Sequence, residues 1–435
     1  MTSYGIRRTN KDKQPHMKYI LSILLLAFFA QSLQATLFNV RENEDVYLQT
    51  INKFDVDASF LQDKILISKL NKFSNDRKKE VFLRNLDRAY LFIPILMKKI
   101  ELAGIPEEFL YLAMAESNFK TTAYSHKKAA GLWQFLAPTG RKYGLRIDDY
   151  VDERKDILKS TDAAIAYLKD LHGMFGKWYL AAMAYNCGEG RVRWAIRKAG
   201  TDDLSKLLQT SSKKRRQFLP RETRNYIRKI LSFALIMQET GYFTADQSSH
   251  LLNRGMTMPI VTRSIPANVH MSDVSDMLNM KYKDLTKLNP HLRYNITPPN
   301  VKTYNIYVPY SRLAFFNTNK DKIKPSLSGF RIHTVKRGDT LYDLARAFGI
   351  TVNMIKLSNE LSSNMLRIKQ KLLIPIGGQY LGNHSRRQKV VYRVKAGDTL
   401  SGISQKFKTK MKDIMRQNEL RNTNLQIGDK LVIYN

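Results

Sequence analysis

The sequence predicts a mainly α-helical domain followed by two small βααβ modules, so α+β overall. Three observations carry this. Nearly every segment between Leu83 and Phe243 places its apolar residues at helical spacing. A stretch that starts at His333 returns at Tyr392 and stays in register for about forty residues. Each copy of that repeat reads strand, helix, helix, strand. A chain of 435 residues accommodates two to four domains, and its 43% hydrophobic content is enough to give each of them a core.

Residues 1–35 read as an export signal. Arg7, Arg8, Lys11, Lys13 and Lys18 precede an apolar run from Tyr19 to Ala30, and Gln31-Ser32-Leu33-Gln34-Ala35 comes after it. The run is too short to span a bilayer and has the length of a signal core. Cleavage is expected after Ser32 or Ala35. Met17 is an alternative start, and an uncleaved anchor is the rival reading. The expected address is the periplasm or cell envelope, with peripheral association with wall or membrane. Cys187 is the single cysteine, so no intrachain disulfide forms, and no cysteine follows the apolar run to take a lipid.

Residues 36–82 are polar and helix-permissive, with scattered apolar positions such as Ile51, Phe54, Phe60 and Leu66. They read as a helical lead-in that packs on the domain after it, and no chemistry is assigned to them. Residues 83–243 form the helical domain, with helices expected over 160–175, 178–186, 191–199 and 220–240. Gly173, Gly176, Gly188, Gly190 and Gly200 mark turns between them.

The domain is organised around the run from Phe109 to Phe119, an apolar helix ending on one acid. At helical spacing Phe109, Leu112, Glu116 and Phe119 share a face, which puts the carboxyl group on the buried stripe. A buried carboxylate is costly unless it is paired, metal-bound or protonated, and a protonated one is a general acid. The plainer reading is a Glu that bonds its own helix end or meets an arginine.

Polar groups gather where helices meet loops: Gly131-Leu132-Trp133-Gln134, Ala184-Tyr185-Asn186-Cys187-Gly188-Glu189-Gly190, and the segment from Leu219 to Tyr226. Singly, each has a structural explanation as a cap, a core aromatic or a helix stop. Together beside a buried acid they suit a sugar site, which needs amide, hydroxyl and aromatic groups on rigid helix ends.

In order and approximate spacing, Glu116-Ser117, Gly131-Leu132-Trp133-Gln134, Ala184-Tyr185-Asn186-x-Gly188-x-Gly190 and the Tyr226 segment resemble the motifs of soluble-type lytic transglycosylase domains. The Trp133 form of the second motif is similar to that of the membrane-bound lytic murein transglycosylase D branch. The resemblance implies a lysozyme-like α-helical catalytic domain that cleaves the β-1,4 bond between N-acetylmuramic acid and N-acetylglucosamine, leaving 1,6-anhydromuramoyl products. It implies that Glu116 is both acid and base. It further implies that Ser117 contacts substrate or orients the acid, that Gln134, Tyr185 and Asn186 hold the sugars, and that Tyr226 bonds Glu116 or substrate.

In the repeats, His333-Thr334-Val335-Lys336-Arg337-Gly338-Asp339-Thr340-Leu341 matches Tyr392-Arg393-Val394-Lys395-Ala396-Gly397-Asp398-Thr399-Leu400. Asp339 is expected to cap the first helix and Thr351 the second. The copies, 331–376 and 390–435, resemble LysM domains, which bind N-acetylglucosamine-containing polymers. A degenerate copy spans 260–310, with Asn268-Val269-His270 in place of Gly-Asp-Thr, and reads as a packing spacer. Stretches at about 311–330 and 376–389 are rich in Lys, Ser, Gly and Asn and read as flexible tethers.

Most glycosidases need two carboxylates. Asp148, Asp149, Asp152 and Glu153 form a polar loop and read as solvated, so a single-acid mechanism comes first. A hydrolase with a second acid and a silent wall-binding scaffold are the rivals. A net charge of +34 suits a polyanion, peptidoglycan carboxylates included, and equally a lysine-rich proteome. Nucleic acid is opposed by the export signal and the sugar-binding repeats. Eight dispersed histidines and the absence of a phosphate-cradling glycine loop suggest no metal site and no cofactor.

Overall fold

The computed structural model describes residues 44–73, 75–209, 218–239, 259–325, 329–376 and 389–434, the last apart from 408, 419 and 421. The expected export segment and most of the second expected tether lie outside them. Among the described residues no helix is long and apolar enough to cross a membrane. The chain divides into two units, one of residues 1–145 with 157–257, the other of residues 146–156 with 258–435.

The first unit is helical. Its helices are α1 (Glu44–Asn52), α2 (Lys64–Lys72), α3 (Asp76–Ala89), α4 (Ile93–Leu102), α5 (Leu110–Ser117) and α6 (Ala137–Lys142). After the excursion of residues 146–156 come α7 (Ile157–Phe175), α8 (Trp178–Cys187), α9 (Glu189–Ala199), α10 (Leu204–Leu208) and α11 (Arg221–Ile236). Leu110 to Met114 in α5 and Tyr179 to Ala184 in α8 are buried without a break. A helix that is apolar all round belongs at the centre of a domain, and these two form the middle of this one. α11 packs on both and on α2.

The lead-in is scaffolding. Asp55 accepts a hydrogen bond from Trp178 N–H at 2.7 Å, at the start of α8. Asp63 caps α2 through Ile65 and Leu66 N–H, and its carboxylate also takes both prongs of the Arg228 guanidinium at 2.9 and 2.7 Å. One acid thereby fixes α2 and α11 together.

α5 departs from the expected stripe. It ends at Ser117 because Asn118 turns to the left-handed region (φ 51), where its N–H reaches Met114 O at 2.9 Å. Asparagine adopts that conformation readily. Phe119 follows it at φ 57, costly for a bulky side chain. Complete burial of the Phe119 ring against Phe92 offsets that cost. Phe109 sits in a preceding 3-10 turn (Glu107–Phe109), so neither end of the expected face is α-helical. The expectation failed because the run is apolar on every side, and periodicity cannot select a face in such a run.

The second unit holds three βααβ modules, each closed by a two-stranded antiparallel ladder. They comprise β1 (Ile260–Pro266), α12 (Met271–Met277), α13 (Tyr282–Leu288) and β2 (Thr303–Pro309), then β3 (Phe330–Thr334), α15 (Leu341–Ala347), α16 (Val352–Ser358) and β4 (Lys371–Pro375), and last β5 (Lys389–Arg393), α17 (Leu400–Lys406), α18 (Met411–Gln417) and β6 (Lys430–Tyr434), with α14 (Leu313–Asn319) between the first two. In register, β1 sets Ile260 opposite Pro309, β3 sets Phe330 opposite Pro375, and β5 sets Lys389 opposite Tyr434. Ile355 with Ile374, and Ile414 with Ile433, are fully buried in the two repeat copies.

Asp339 is not the helix cap. Thr340 caps α15 by accepting from Asp343 N–H, while Asp339 accepts from Lys336 N–H at 2.8 Å and bonds the His333 ring at 2.7 Å. The acid lies one residue too early, in the turn that delivers the strand to the helix. Thr351 caps α16 as expected. In the degenerate module His270 takes the cap position, its Nδ1 accepting from Ser272 N–H.

The three modules share one device. Asn289, Asn359 and Asn418 each donate to a carbonyl of their own second helix and to a carbonyl of the closing strand, and accept from that strand's N–H. Asn359→Ala strands the Leu373 N–H and carbonyl, at a cost of about 2–4 kcal/mol. A module this small has little more than that in hand. Amide exchange at Ile355, Leu373 and Ile374 in the whole protein is therefore expected to become fast, while Ile414 and Ile433 keep their protection.

Flexible tethering does not hold for the first linker. Residues 313–319 are helical, and Phe316 is buried in the core of the 260–310 module. The first repeat copy also docks on that module: Phe330 and Leu373 share a cluster with Ile296, and Glu360 accepts from Tyr282 Oη at 2.5 Å and Asn295 Nδ2 at 3.0 Å. Linker composition signalled solvent, but Phe316, with Ile323 packed against the same core, pins the segment.

The acidic loop 146–156 is only partly solvated: Asp149 is exposed as expected and Asp148 is half-buried. Asp152, Glu153, Arg154 and Asp156 are all buried. Asp152 pairs with Arg154 through two bonds of 2.8 Å, Glu153 accepts from Tyr304 Oη at 2.8 Å, and Asp156 accepts from Tyr307 Oη at 2.5 Å. Backbone bonds from Asp152 N to His291 O and from Arg293 N to Tyr150 O stitch the loop to the same module.

Candidate active site

Four chain segments of the helical unit converge on Glu116. It lies in the last turn of α5, where the carbonyl end of the helix disfavours negative charge. Tyr226, on the second turn of α11, donates its hydroxyl to Glu116 Oε1 at 2.5 Å. Tyr185, near the end of α8, donates to Trp133 O at 2.8 Å and thereby holds the Gly131–Gln134 turn against that helix. The turn has Gly131 at φ 82 and Gln134 at φ 49, and Ala130 and Phe135 exchange both backbone hydrogen bonds across it, at 3.0 and 3.1 Å. Gln134 Nε2 bonds Gly131 O at 2.9 Å, and the buried Trp133 donates its indole N–H to Thr161 Oγ1 at 2.9 Å.

Asn186 Oδ1 accepts from Thr223 Oγ1 at 2.7 Å, which links the end of α8 to the first turn of α11. Gly188 ends α8 at φ 84, a region natural to glycine, and α9 starts at once. Ser117 is buried and its hydroxyl donates back to Ala113 O at 3.1 Å. Of the six expected site residues, Glu116, Tyr226 and Tyr185 form one electrostatically linked group, Asn186 and Gln134 sit on the helix end and turn beside them, and Ser117 is engaged with its own helix.

The carboxyl group of Glu116 keeps some solvent contact but is enclosed by protein on most sides. Loss of hydration pushes its pKa from 4.5 up to about 7, against the opposing pull of the Tyr226 hydroxyl and the Lys229 ammonium. Burial raises Tyr226 and Tyr185 well above the ordinary phenol value, with the charge of Glu116 adding to it, so both remain hydrogen-bond donors. At neutral pH the acid is poised between its two forms, as a group that first gives and then takes a proton must be.

Sequence reasoning missed three contributors. Lys229 donates to Ala115 O at 2.7 Å, closing the end of α5, and is itself held below the ordinary lysine value by burial. Thr223 orients Asn186. Arg228, tied to Asp63, anchors the helix that carries Tyr226. Thr223 and Lys229 lie three residues either side of Tyr226, so helical spacing from that tyrosine was the available signal. Among the described residues, the other carboxylate whose charge bears on Glu116 is Glu222, exposed on the first turn of α11. Among the described residues no group of three or more His, Cys, Asp or Glu is arranged to hold a metal. Burial pushes the Cys187 thiol up, so it stays neutral.

One poised acid on a helical core is thus followed in the chain by βααβ modules. The Transglycosylase SLT domain family matches residues 95–208, the LysM domain family matches 333–375 and 392–433, and the family described as Lytic transglycosylase MltD, LysM-like domain matches 260–325. The membrane-bound lytic murein transglycosylase D of Escherichia coli K12 is 30% identical over 412 residues, covering 86% of this chain and 85% of its own. The chain belongs to that family and is a lytic murein transglycosylase. A protein of Alteromonas sp. described as a putative tributyltin chloride resistance protein is 38% identical over 110 residues, 25% of this chain and 53% of its own. The crystal structure of the 70 kDa soluble lytic transglycosylase of E. coli is similar at 24% identity over 35% of this chain and 25% of that one, with a TM-score of 0.28. The family assignment rests on the sequence match.

Proposed function

We propose that Glu116 carries both proton transfers of the reaction. Protonated, it gives its proton to the glycosidic oxygen between N-acetylmuramic acid and N-acetylglucosamine. As the carboxylate, it then takes the proton of the muramoyl C6 hydroxyl, whose oxygen closes on C1 to give the 1,6-anhydro sugar. The nucleophile already belongs to the substrate, so no second carboxylate has to activate water, and ring closure gains the intramolecular advantage. The observation that carries this is the pKa of about 7 on a carboxyl group hydrogen-bonded by a neutral tyrosine.

In this reading Tyr226 holds the acid in one rotamer and steadies its charged form. Asn186 and Gln134 present amides to the N-acetyl groups, and Tyr185 braces the turn that carries Gln134. Ser117 acts through the helix end, its hydroxyl being spent on Ala113 O. Catalysis is assigned to residues 83–243, with the 331–376 and 390–435 modules holding N-acetylglucosamine polymer. The 260–310 module serves as a packing spacer. Residues 1–35 direct export to the periplasm, where the substrate lies. Two weak modules in one chain raise the local substrate concentration more than either does singly.

The test is a mass spectrum of fragments released from purified sacculi by the protein and by Glu116→Gln. Fragments ending in 1,6-anhydromuramic acid, absent with the variant, are expected. Reducing ends one water heavier would instead require a hydrolase, and fragments from the variant would move the chemistry elsewhere.

A further inference from the structure

A cavity of about 340 Å³ in the helical unit lies between α2, α3, the end of α5 and α11, and none of the catalytic residues lines it. Its floor is aromatic: Phe73, Phe82 and Phe233 meet there edge to face or tilted, with centroids 5.5–5.8 Å apart. Lys69, Lys72, Lys78 and Lys229 line it as well. Among the described residues no carboxylate lines it. Lys69 is half-buried, and burial first, then the positive charges of Lys72 and Arg228, hold its pKa down. Lysines complement the C-terminus of α2, which accounts for Lys69 and Lys72. It does not account for Lys78, at the opposite end of another helix. Four like charges over an apolar floor, Lys69 and Lys229 half-buried and Lys72 and Lys78 exposed, suit an anion.

Its position indicates which anion. Tyr226, Lys229 and Phe233 lie at i, i+3 and i+7 on one stripe of α11, so the stripe runs from the acid to the cavity floor. Seven residues of helix cover about 10 Å. An extended peptide spans that distance in three to four residues. The chain acts on peptidoglycan, whose glycan strand carries peptides bearing free carboxylates beside the bond to be cut. We propose that this cavity takes a carboxylate of that stem peptide, with the adjoining aliphatic part of the peptide on the aromatic floor, so that the enzyme reads peptide as well as sugar. The proposal rests on the assignment of peptidoglycan as substrate at Glu116. A bound carboxylate would offset the burial and like-charge repulsion that hold the pKa of Lys69 down, and Lys229 lies within electrostatic reach of both Lys69 and Glu116.

The experiment compares turnover of peptide-bearing strands with that of the same strands stripped by an amidase. The full chain and its Lys69→Gln/Lys72→Gln/Lys78→Gln variant are tested, with the all-Arg variant at the same positions as the charge-keeping control. Loss of charge-assisted hydrogen bonds predicts a fall of about tenfold or more in kcat/KM on peptide-bearing strands. On stripped strands no fall is expected, and the Arg variant keeps the parent ratio. In parallel, the stem tetrapeptide freed by the amidase is titrated calorimetrically into full-length Glu116→Gln with and without the three Gln changes, and heats are expected only without them. Equal falls on both substrates, no fall on either, or binding of phosphatidylglycerol vesicles or inorganic phosphate without binding of the peptide would overturn the proposal. Failure of the parent to release anhydro products from stripped strands would instead overturn the substrate assignment.

Discussion

Glu116→Gln is expected to unfold at a higher temperature than the parent at pH 8 and at the same temperature at pH 4. The folded-state pKa of about 7 lies above the unfolded value of 4.5. Between these values the folded chain retains a proton that the unfolded chain has released, so folding stability is full below pH 4.5 and declines as pH rises through 7. The decline amounts to roughly 3 kcal/mol. Glutamine does not ionise and escapes it. For a unit of this size that corresponds to roughly 5–10 °C in Tm at pH 8. The same variant is expected to lose a factor of roughly 10²–10⁴ in rate, the usual contribution of a general acid. In the parent, kcat/KM should fall as pH rises through about 7. A flat profile from pH 5 to 9, or a variant no more stable at pH 8, would remove Glu116 from its assigned role. Stability and catalysis are opposed at this residue, as they commonly are in active sites.

Arg228→Ala is expected to destabilise the helical unit by about 3–5 kcal/mol, because it leaves the Asp63 carboxylate without its charge partner in a partly enclosed site. Arg228 is 6% exposed and Asp63 18%, so solvent cannot replace the guanidinium. Asp63 is held below the usual carboxylate range: burial works to raise it, and the Arg228 bonds together with the α2 N–H groups outweigh that. Its stabilising contribution is therefore present above pH 3.8 and is lost as pH falls through its depressed folded value. Arg228→Ala should accordingly lower Tm most at neutral pH and least in strong acid, as read by thermal denaturation across pH. Because Arg228 lies two residues from Tyr226, kcat should fall more than KM rises. An unchanged Tm at pH 7 would show that the pair does not join α2 to α11.

The catalytic acid was legible because an apolar run ending on one Glu is chemically odd, and because three further motifs came after it in order. The repeat was legible because duplication leaves identical residues at fixed offsets. The features that escaped notice depend on contacts between distant segments. Asp63 sits in a stretch whose composition announced nothing, and its importance comes from Arg228, 165 residues later. The acidic loop read as solvated because its buried partners, Tyr304 and Tyr307, lie in another module. Ser117 matched a motif, yet its hydroxyl is turned to its own helix. The face of α5 could not be read at all, since a helix buried all round has no stripe to reveal. Asp339 was misplaced by one residue, within the ordinary uncertainty of helix ends.

The grip of Tyr304 on Glu153 and of Tyr307 on Asp156 also sets a schedule. Each pair is 151 residues apart in the chain. At about 5–20 residues per second, a ribosome delivers the tyrosines some 8–30 s after the acids have been made. Through that interval Glu153 and Asp156 are without their tyrosines, even where the helices on either side have already formed. The nascent protein thus reaches its finished state in a late step, when a segment near the C-terminal modules collects a loop left waiting between two helices of the N-terminal half.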